Sequence, residues 1–441
     1  MPSFRRCLML TGVLVASVVG CVLFLKAPPP SAEALATGLD PAKMERLDAV
    51  IKDAVEGQQI AGAVMLLARH GRIGYLKAIG WRDAEAQTPM TTDTLFRLAS
   101  MTKPITSVAV MMLVEEGKLR LDDPVSKFIP EFKGPTVGVP NLLTWSLHMR
   151  PARREITIHD LLTHTSGLTY RFWDIPPWTT LYRNAGVSDG FNHAPGTSLN
   201  NVRRLARLPL MFQPGSFWGY GLSTDVLGAV VEVVSGQDLQ TFFRQRIFGP
   251  LQMHDTFFYV PPEKKERLAA LYLPDRHGRR QRVSEGLGLV SVGEIEFSAT
   301  YPCETDSKYF SGGAGLVSTA SDYARFLQMM LNGGELDGVR LLRPETVQQM
   351  TTNQIGYKKT CIPQYGDSFG YGFGVLTVDG KGQALDVAST GSYSWGGLFQ
   401  TYFWVDPKKD LIGLLMSQLL TIGDHPLRQE FKKRVYDCLV G

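Results

Sequence analysis

Strand-like apolar runs stand near both ends of this chain, while helical stripes fill its middle. Ala63-Val64-Met65-Leu66-Leu67-Ala68 and Ile73-Gly74-Tyr75-Leu76-Lys77-Ala78 flank the turn Arg69-His70-Gly71-Arg72 and predict a hairpin. Strand patterns return only late, over 372–378, 400–405 and 411–416. Helices are predicted over 43–55, ahead of the hairpin, and near the C-terminus, where Leu427, Phe431 and Val435 fall four apart. Two more stripes lie between: Val226, Leu227, Val230, Val231 and Val234 behind Thr224-Asp225, and Tyr323, Phe326, Leu327, Met330 and Leu331 behind Ser321-Asp322. The Asp-containing pairs are expected to cap them, and Gly236 and Gly333-Gly334 to stop them. Strands from both ends around a helical middle imply one antiparallel sheet built from the termini, packed beside an inserted helical region over roughly 105–310.

The N-terminal 36 residues have a different character. Arg5-Arg6 precede a mostly apolar stretch from Leu8 to Leu25, followed by Lys26 and the breaker run Pro28-Pro29-Pro30. That order is an export signal or a membrane anchor. Three outcomes fit it: cleavage after Ala34-Leu35-Ala36, lipidation at Cys21, or retention as a single span. All three put the protein outside the cytoplasm, in the periplasm, on a membrane or secreted. The chain as a whole is an ordinary globular mixture with 44% hydrophobic and 20% charged residues, enough for a large core in the remaining domain, 40–441. Its basic clusters, Arg203-Arg204-Arg207 and Arg276 to Arg282, are short and lack interleaved aromatics, so they read as solvated loops and no nucleic-acid partner is expected. Cys303, Cys361 and Cys438 remain outside the export segment; a Cys303–Cys361 bridge and free buried thiols are both compatible with that count. No Cys or His spacing suggests zinc, since His159 and His164 do not share a helical face, and no cofactor is expected.

The chemistry starts at Ser100-Met101-Thr102-Lys103, where a hydroxyl three positions ahead of an amine shares one face of a helix start. The stripe Val108, Met111, Met112 and Val114 follows, closed by Glu115-Glu116-Gly117, and Pro104 is tolerated in a first turn whose amides have no intrahelical acceptor. Taken alone, such a tetrapeptide is an ordinary helix start with a capping serine and a solvated lysine. Its surroundings decide otherwise. Leu95 to Lys103, Glu115 to Val125, Ile156 to Leu168, Tyr220 to Gly228, Gly312 to Thr319 and Trp395-Gly396-Gly397 to Asp406-Pro407 follow one another in an order that resembles the serine β-lactamase and penicillin-binding-protein superfamily. The resemblance is to its class C branch, most of all to the family VIII carboxylesterases, and covers nearly everything after about residue 40.

The resemblance implies a β-lactamase/transpeptidase-like fold, with an α/β part beside an all-α part and the active site between them. It also implies an acyl-enzyme mechanism, with Ser100 as nucleophile, Lys103 as base and Tyr220 as second proton carrier. The family's tyrosine motif ends in Asn, whereas Leu222 stands here, so an amide that holds β-lactam substrates is missing. Near the C-terminus the family's Lys-Thr-Gly or His-Thr-Gly strand is replaced by Trp395-Gly396-Gly397, with no cation to receive a substrate carboxylate. Both departures favour a neutral small-molecule ester, with Trp395, Gly396 and Gly397 against the substrate and the amides of Ser100 and Leu398 as the oxyanion hole. A β-lactamase or D-amino-acid peptidase is the alternative within hydrolases; a non-catalytic ligand-binding or sensor domain is the alternative outside them. Gly366-Asp367-Ser368-Phe369-Gly370 matches the G-x-S-x-G elbow, but strand patterning follows it where that motif needs a helix, so Ser368 is not expected to be catalytic. The aromatic loop from Thr169 to Asn201 is either a packed structural loop or an apolar wall over the acyl pocket.

Overall fold

The computed structural model describes residues 37–141, 146–192, 196–303, 306–378, 386–421 and 425–440. Residues 1–36, on which the export reading and its three processing outcomes rest, lie outside these residues. Helix α1 (Pro41–Glu56) leads into the hairpin β1 (Gly62–Arg69) and β2 (Arg72–Asp83), followed by the short β3 (Thr88–Pro89). Next comes α2 (Thr102–Glu115) and, later, α3 (Ser223–Ser235) and α4 (Ala320–Leu331). The chain then returns to the sheet as β4 (Ser368–Phe369), β5 (Gly374–Val375), β6 (Tyr393–Gly397), β7 (Thr401–Asp406) and β8 (Leu411–Met416), and closes with α5 (Pro426–Asp437). These strands form one eight-stranded sheet in the order β4-β5-β6-β7-β8-β1-β2-β3, every neighbour antiparallel. The two ends of the chain therefore meet in its centre, where Val64 pairs with Met416 and Arg69 with Leu411.

Alternation along the strands builds two cores. Ala63, Met65 and Leu67 of β1, with Tyr402 and Trp404 of β7, face α1 and α5 through Leu47, Ile51, Phe431 and Val435. Val64, Leu66 and Ala68, with Phe403 and Val405, face the helical region, including Ile105 and Val108 of α2 and Phe326 of α4. The sheet is covered on both faces, which is why β1, β7 and β8 are buried throughout.

Helix α2 was expected to carry one apolar stripe, yet it is buried from Thr102 to Leu113. Its polar members are accordingly paired: Thr102 Oγ1 accepts from Leu316 N at 3.1 Å, and Thr106 Oγ1 donates to Gly312 O at 2.7 Å. Two expected caps are not formed. The amino end of α3 has no side-chain cap, because the Asp225 carboxylate instead accepts from Ser311 Oγ at 2.6 Å and Gly313 N at 3.3 Å. On α4 the cap is Thr319, which accepts from Asp322 N, while Asp322 itself accepts from Asp255 N and Thr256 Oγ1. Cys303, Cys361 and Cys438 form no disulfide, and of the three only Cys438 is buried. Among the described residues no helix is long and apolar enough to cross a membrane.

Candidate active site

Ser100 lies in a 3₁₀ turn, Ala99–Met101, at the head of α2. Tertiary bonds hold this turn from three sides: Leu98 N donates to Leu316 O (2.8 Å), Thr401 Oγ1 to Leu98 O (3.0 Å) and Tyr323 Oη to Met101 O (2.8 Å). Ala99 is held in the left-handed region with φ of 46°, a conformation that costs a non-glycine residue about 1–2 kcal/mol. Those three bonds are what offset it.

One turn on, Lys103 is completely buried. Its Nζ stands 3.1 Å from Ser100 Oγ and donates to Gly313 O at 2.8 Å, so the glycine segment anchored by Thr106 and Asp225 is also the segment that orients the lysine. The amine lies 4.8 Å from the Tyr220 ring centre and 5.4 Å from that of Tyr170. Burial draws its pKa from 10.5 down to about 7, with the Asp225 carboxylate pulling the other way. The neighbouring His164 is buried as well and held neutral by burial and by Lys103.

Tyr220 precedes α3 and packs among Tyr170, Trp218, His164 and Trp395. Its backbone carbonyl accepts from Trp173 Nε1 at 2.9 Å. Burial raises its pKa, while Ser100 and Trp395 are the hydrogen-bonding neighbours that oppose the rise. The hydroxyl makes no hydrogen bond of good geometry in this structure, and burial keeps it protonated beside Ser100.

Ser100 opens into a cavity of about 360 Å³ that also contains Tyr220, Trp395, Gly396, Gly397 and Leu398. Every residue expected at the site is thus brought together. The aromatic loop serves both of the purposes considered for it: Phe172, Trp173 and Phe191 line this cavity, whereas Trp178 and Tyr182 are buried core. Ser368 lies elsewhere, in the two-residue strand β4 with no helix after it, so Gly366 to Gly370 does not form an elbow.

The glycines of β6 are required by proximity. A Cβ on Gly397 would overlap the carbonyl oxygen of Leu98, so only glycine lets this strand close on the nucleophile's turn. Gly397→Ala is therefore expected to lower kcat/KM by about 10²-fold, the scale of an ångström-sized misplacement, with little change in KM. Steady-state kinetics on the folded variant check this; full activity would mean that the strand does not set the reacting geometry.

One expectation is corrected. β6 carries no cation, as read from its sequence, but α5 supplies one: Arg428 is buried, lines the cavity, donates to Gly397 O at 2.7 Å and bonds the hydroxyl of Tyr365. A charge from a helix some thirty residues downstream could not be seen in the strand's own pattern. Asp225 and the Gly313 carbonyl were also missed as site residues, since an aspartate near a helix start reads as a cap.

Comparisons with known proteins bear on the family. The Beta-lactamase family model matches residues 47–436. Esterase EstB of Burkholderia gladioli is 36% identical over 417 residues, covering 92% of this chain and 98% of its own. Lovastatin esterase of Penicillium rubens is 30% identical, covering 88% of this chain and 98% of its own. The solved structure of EstCE1, a hydrolase with promiscuous acyltransferase activity, superposes with a TM-score of 0.77 at 30% identity, covering 90% of this chain and 98% of that one. A serine and a lysine on one buried turn, a tyrosine over the amine, a glycine strand alongside, and this breadth of match have one common explanation: the chain belongs to the Beta-lactamase family, among its esterase-like members.

Proposed function

We propose that the protein cleaves carboxylic esters through an acyl-enzyme on Ser100. The observation that carries this reading is the buried amine of Lys103 beside Ser100 Oγ, with a pKa drawn to about 7. When that amine is neutral, Gly313 O takes one N–H and the nitrogen lone pair is left to accept the Ser100 proton. Ser100 Oγ then bonds to the ester carbonyl carbon, and the carbonyl oxygen becomes the oxyanion, received by the amides of Ser100 and Leu398. Tyr220, held protonated by burial, passes a proton to the departing alkoxide and is recharged from Lys103. Water attacks the acyl-enzyme in the second half, returning the acid and the free serine.

The walls speak for the substrate. Phe172, Trp173, Phe191 and Trp395 offer an apolar surface suited to short or medium acyl groups. Arg428 is a cation within reach, but its guanidinium is already engaged by Gly397 O and the Tyr365 hydroxyl, so the preference for a neutral ester rests on the absence of a cation on β6 itself. Parallel assays on p-nitrophenyl butyrate, a chromogenic cephalosporin and a D-Ala-D-Ala peptide test this, with the ester expected to turn over fastest. Faster turnover of the peptide or the cephalosporin would replace the esterase reading with its hydrolase rivals. Stoichiometric acylation without turnover would favour a sensor. The positive-then-apolar order of residues 1–36 supports a site of action outside the cytoplasm, and cell fractionation with an antibody against the domain 40–441 checks that.

The lysine also sets a pH dependence. Its folded pKa lies below the free value, so the reactive neutral form accumulates as pH rises, and kcat/KM is expected to climb through about pH 7 to a plateau. Asp225→Asn removes the charge that holds the ammonium form and should move this limb to lower pH. A limb that stays put in the variant would separate Asp225 from the base.

A further inference from the structure

A larger cavity, about 660 Å³, lies on the far side of Tyr365 and Arg428 from the nucleophile, and no step above uses it. Tyr402 and Trp404 of β7 form its floor as a stacked pair 5.6 Å apart, and Leu376 and Val387 add apolar surface. Arg428 and Lys432 enter from successive turns of α5, and both are buried.

Charge and unmet hydrogen bonds give the cavity its character. Lys432 is paired with Asp386 at 2.6 Å, and the other carboxylate of the wall, Asp367, is taken by Lys359 and Thr377. Arg428 has no carboxylate partner among the described residues, so the buried wall keeps one uncompensated positive charge. Three buried polar atoms of its lining residues have no hydrogen-bond partner: Arg428 Nε, Ser392 Oγ and Trp404 Nε1. Buried polar groups are ordinarily paired, and a cavity edged by several unpaired ones calls for a ligand that supplies the missing acceptors. A negatively charged ligand matches the Nε edge of Arg428, which stays unpaired while Gly397 O and the Tyr365 hydroxyl take its two terminal nitrogens; Lys433, exposed on the same lining, adds to the positive side, and the aromatic floor asks for an apolar body.

We propose that this cavity binds a small organic monocarboxylate, with its carboxylate on Arg428 and Lys432 and its apolar part on Tyr402 and Trp404. Because Arg428 also holds Gly397 O, occupancy is transmitted to the strand beside Ser100 without filling the catalytic cavity. Only this last consequence depends on the proposed ester hydrolysis; binding itself does not.

Calorimetric titration with benzoate tests the site directly and needs no turnover. Wild-type protein is expected to bind one equivalent with a Kd of about 1 mM or tighter. Lys432→Met leaves Asp386 facing the ligand and should weaken binding tenfold or more, whereas Asp386→Asn frees Lys432 and should tighten it several-fold. Val387→Trp, at an exposed position on the wall, should fill the cavity and abolish binding, and it carries the test if the Lys432 variant does not fold. Neither Lys432, Asp386 nor Val387 lines the catalytic cavity. No binding to wild-type protein, equal binding of benzyl alcohol, or benzoate binding unchanged in Val387→Trp would each overturn the assignment.

Discussion

Ser100→Ala is expected to lower kcat/KM for p-nitrophenyl butyrate by about 10⁴-fold or more, the scale seen when an acyl-enzyme nucleophile is removed. The hydroxyl is the nucleophile that faces the Lys103 amine at 3.1 Å, and the turn that presents it is fixed by hydrogen bonds at the backbone of Leu98 and Met101, so the variant should fold normally. Ser368→Ala is the matched control and should keep full activity, because that side chain is buried in β4 with its oxygen unpaired. A fluorophosphonate followed by peptide mass spectrometry reads the same question chemically. Label on Ser368 with Ser100 unmodified would sink the mechanism.

The second large effect is at the base. Lys103→Met should cost about 10²–10⁴-fold in kcat with the protein still folded, since methionine fills the space without an amine and leaves Gly313 O unpaired. Lys103→Arg separates charge from basicity: a guanidinium stays protonated across the accessible pH range and cannot accept the serine proton. It should be as inactive as the methionine variant. Activity in Lys103→Arg within tenfold of wild type would show that the position supplies charge alone.

The nucleophile and its base were legible because they are local. A spacing of three at a helix start puts two side chains on one face whatever the rest of the chain does, and Trp395-Gly396-Gly397 likewise sits on one strand. The N-terminal hairpin, β7, β8 and the terminal helices were legible through their period, whereas the strand expected over 372–378 is only the two-residue β5, Gly374–Val375. What escaped the sequence depends on contacts made across 31 to 214 residues. Asp225 and Asp322 carry the signature of caps, yet each carboxylate is drawn to a closer set of donors, on Ser311 and Gly313 or on Asp255 and Thr256. The cation at the site was sought on β6, while the fold brings Arg428 to it from α5. An all-round buried α2 could not be told from a striped one, because its threonines are polar in the sequence and become interior only once Gly312 and Leu316 pair with them.

The central position of β1 carries a consequence for synthesis in the cell. Its partner on one side, β2, leaves the ribosome immediately after it, but its partner on the other side is β8, about 340 residues later. At roughly 5–20 residues per second, the edge of a strand that is apolar up to Arg69 stays open for roughly 20 to 70 seconds before the nascent chain can close it. Until then Val64, Leu66 and Ala68 have no β8 beside them, and an open apolar edge is a template for pairing with another chain. Holdase chaperones that shield the growing chain should therefore govern its soluble yield more than the final stability does, and a chain ending before Leu411 should collect in aggregates.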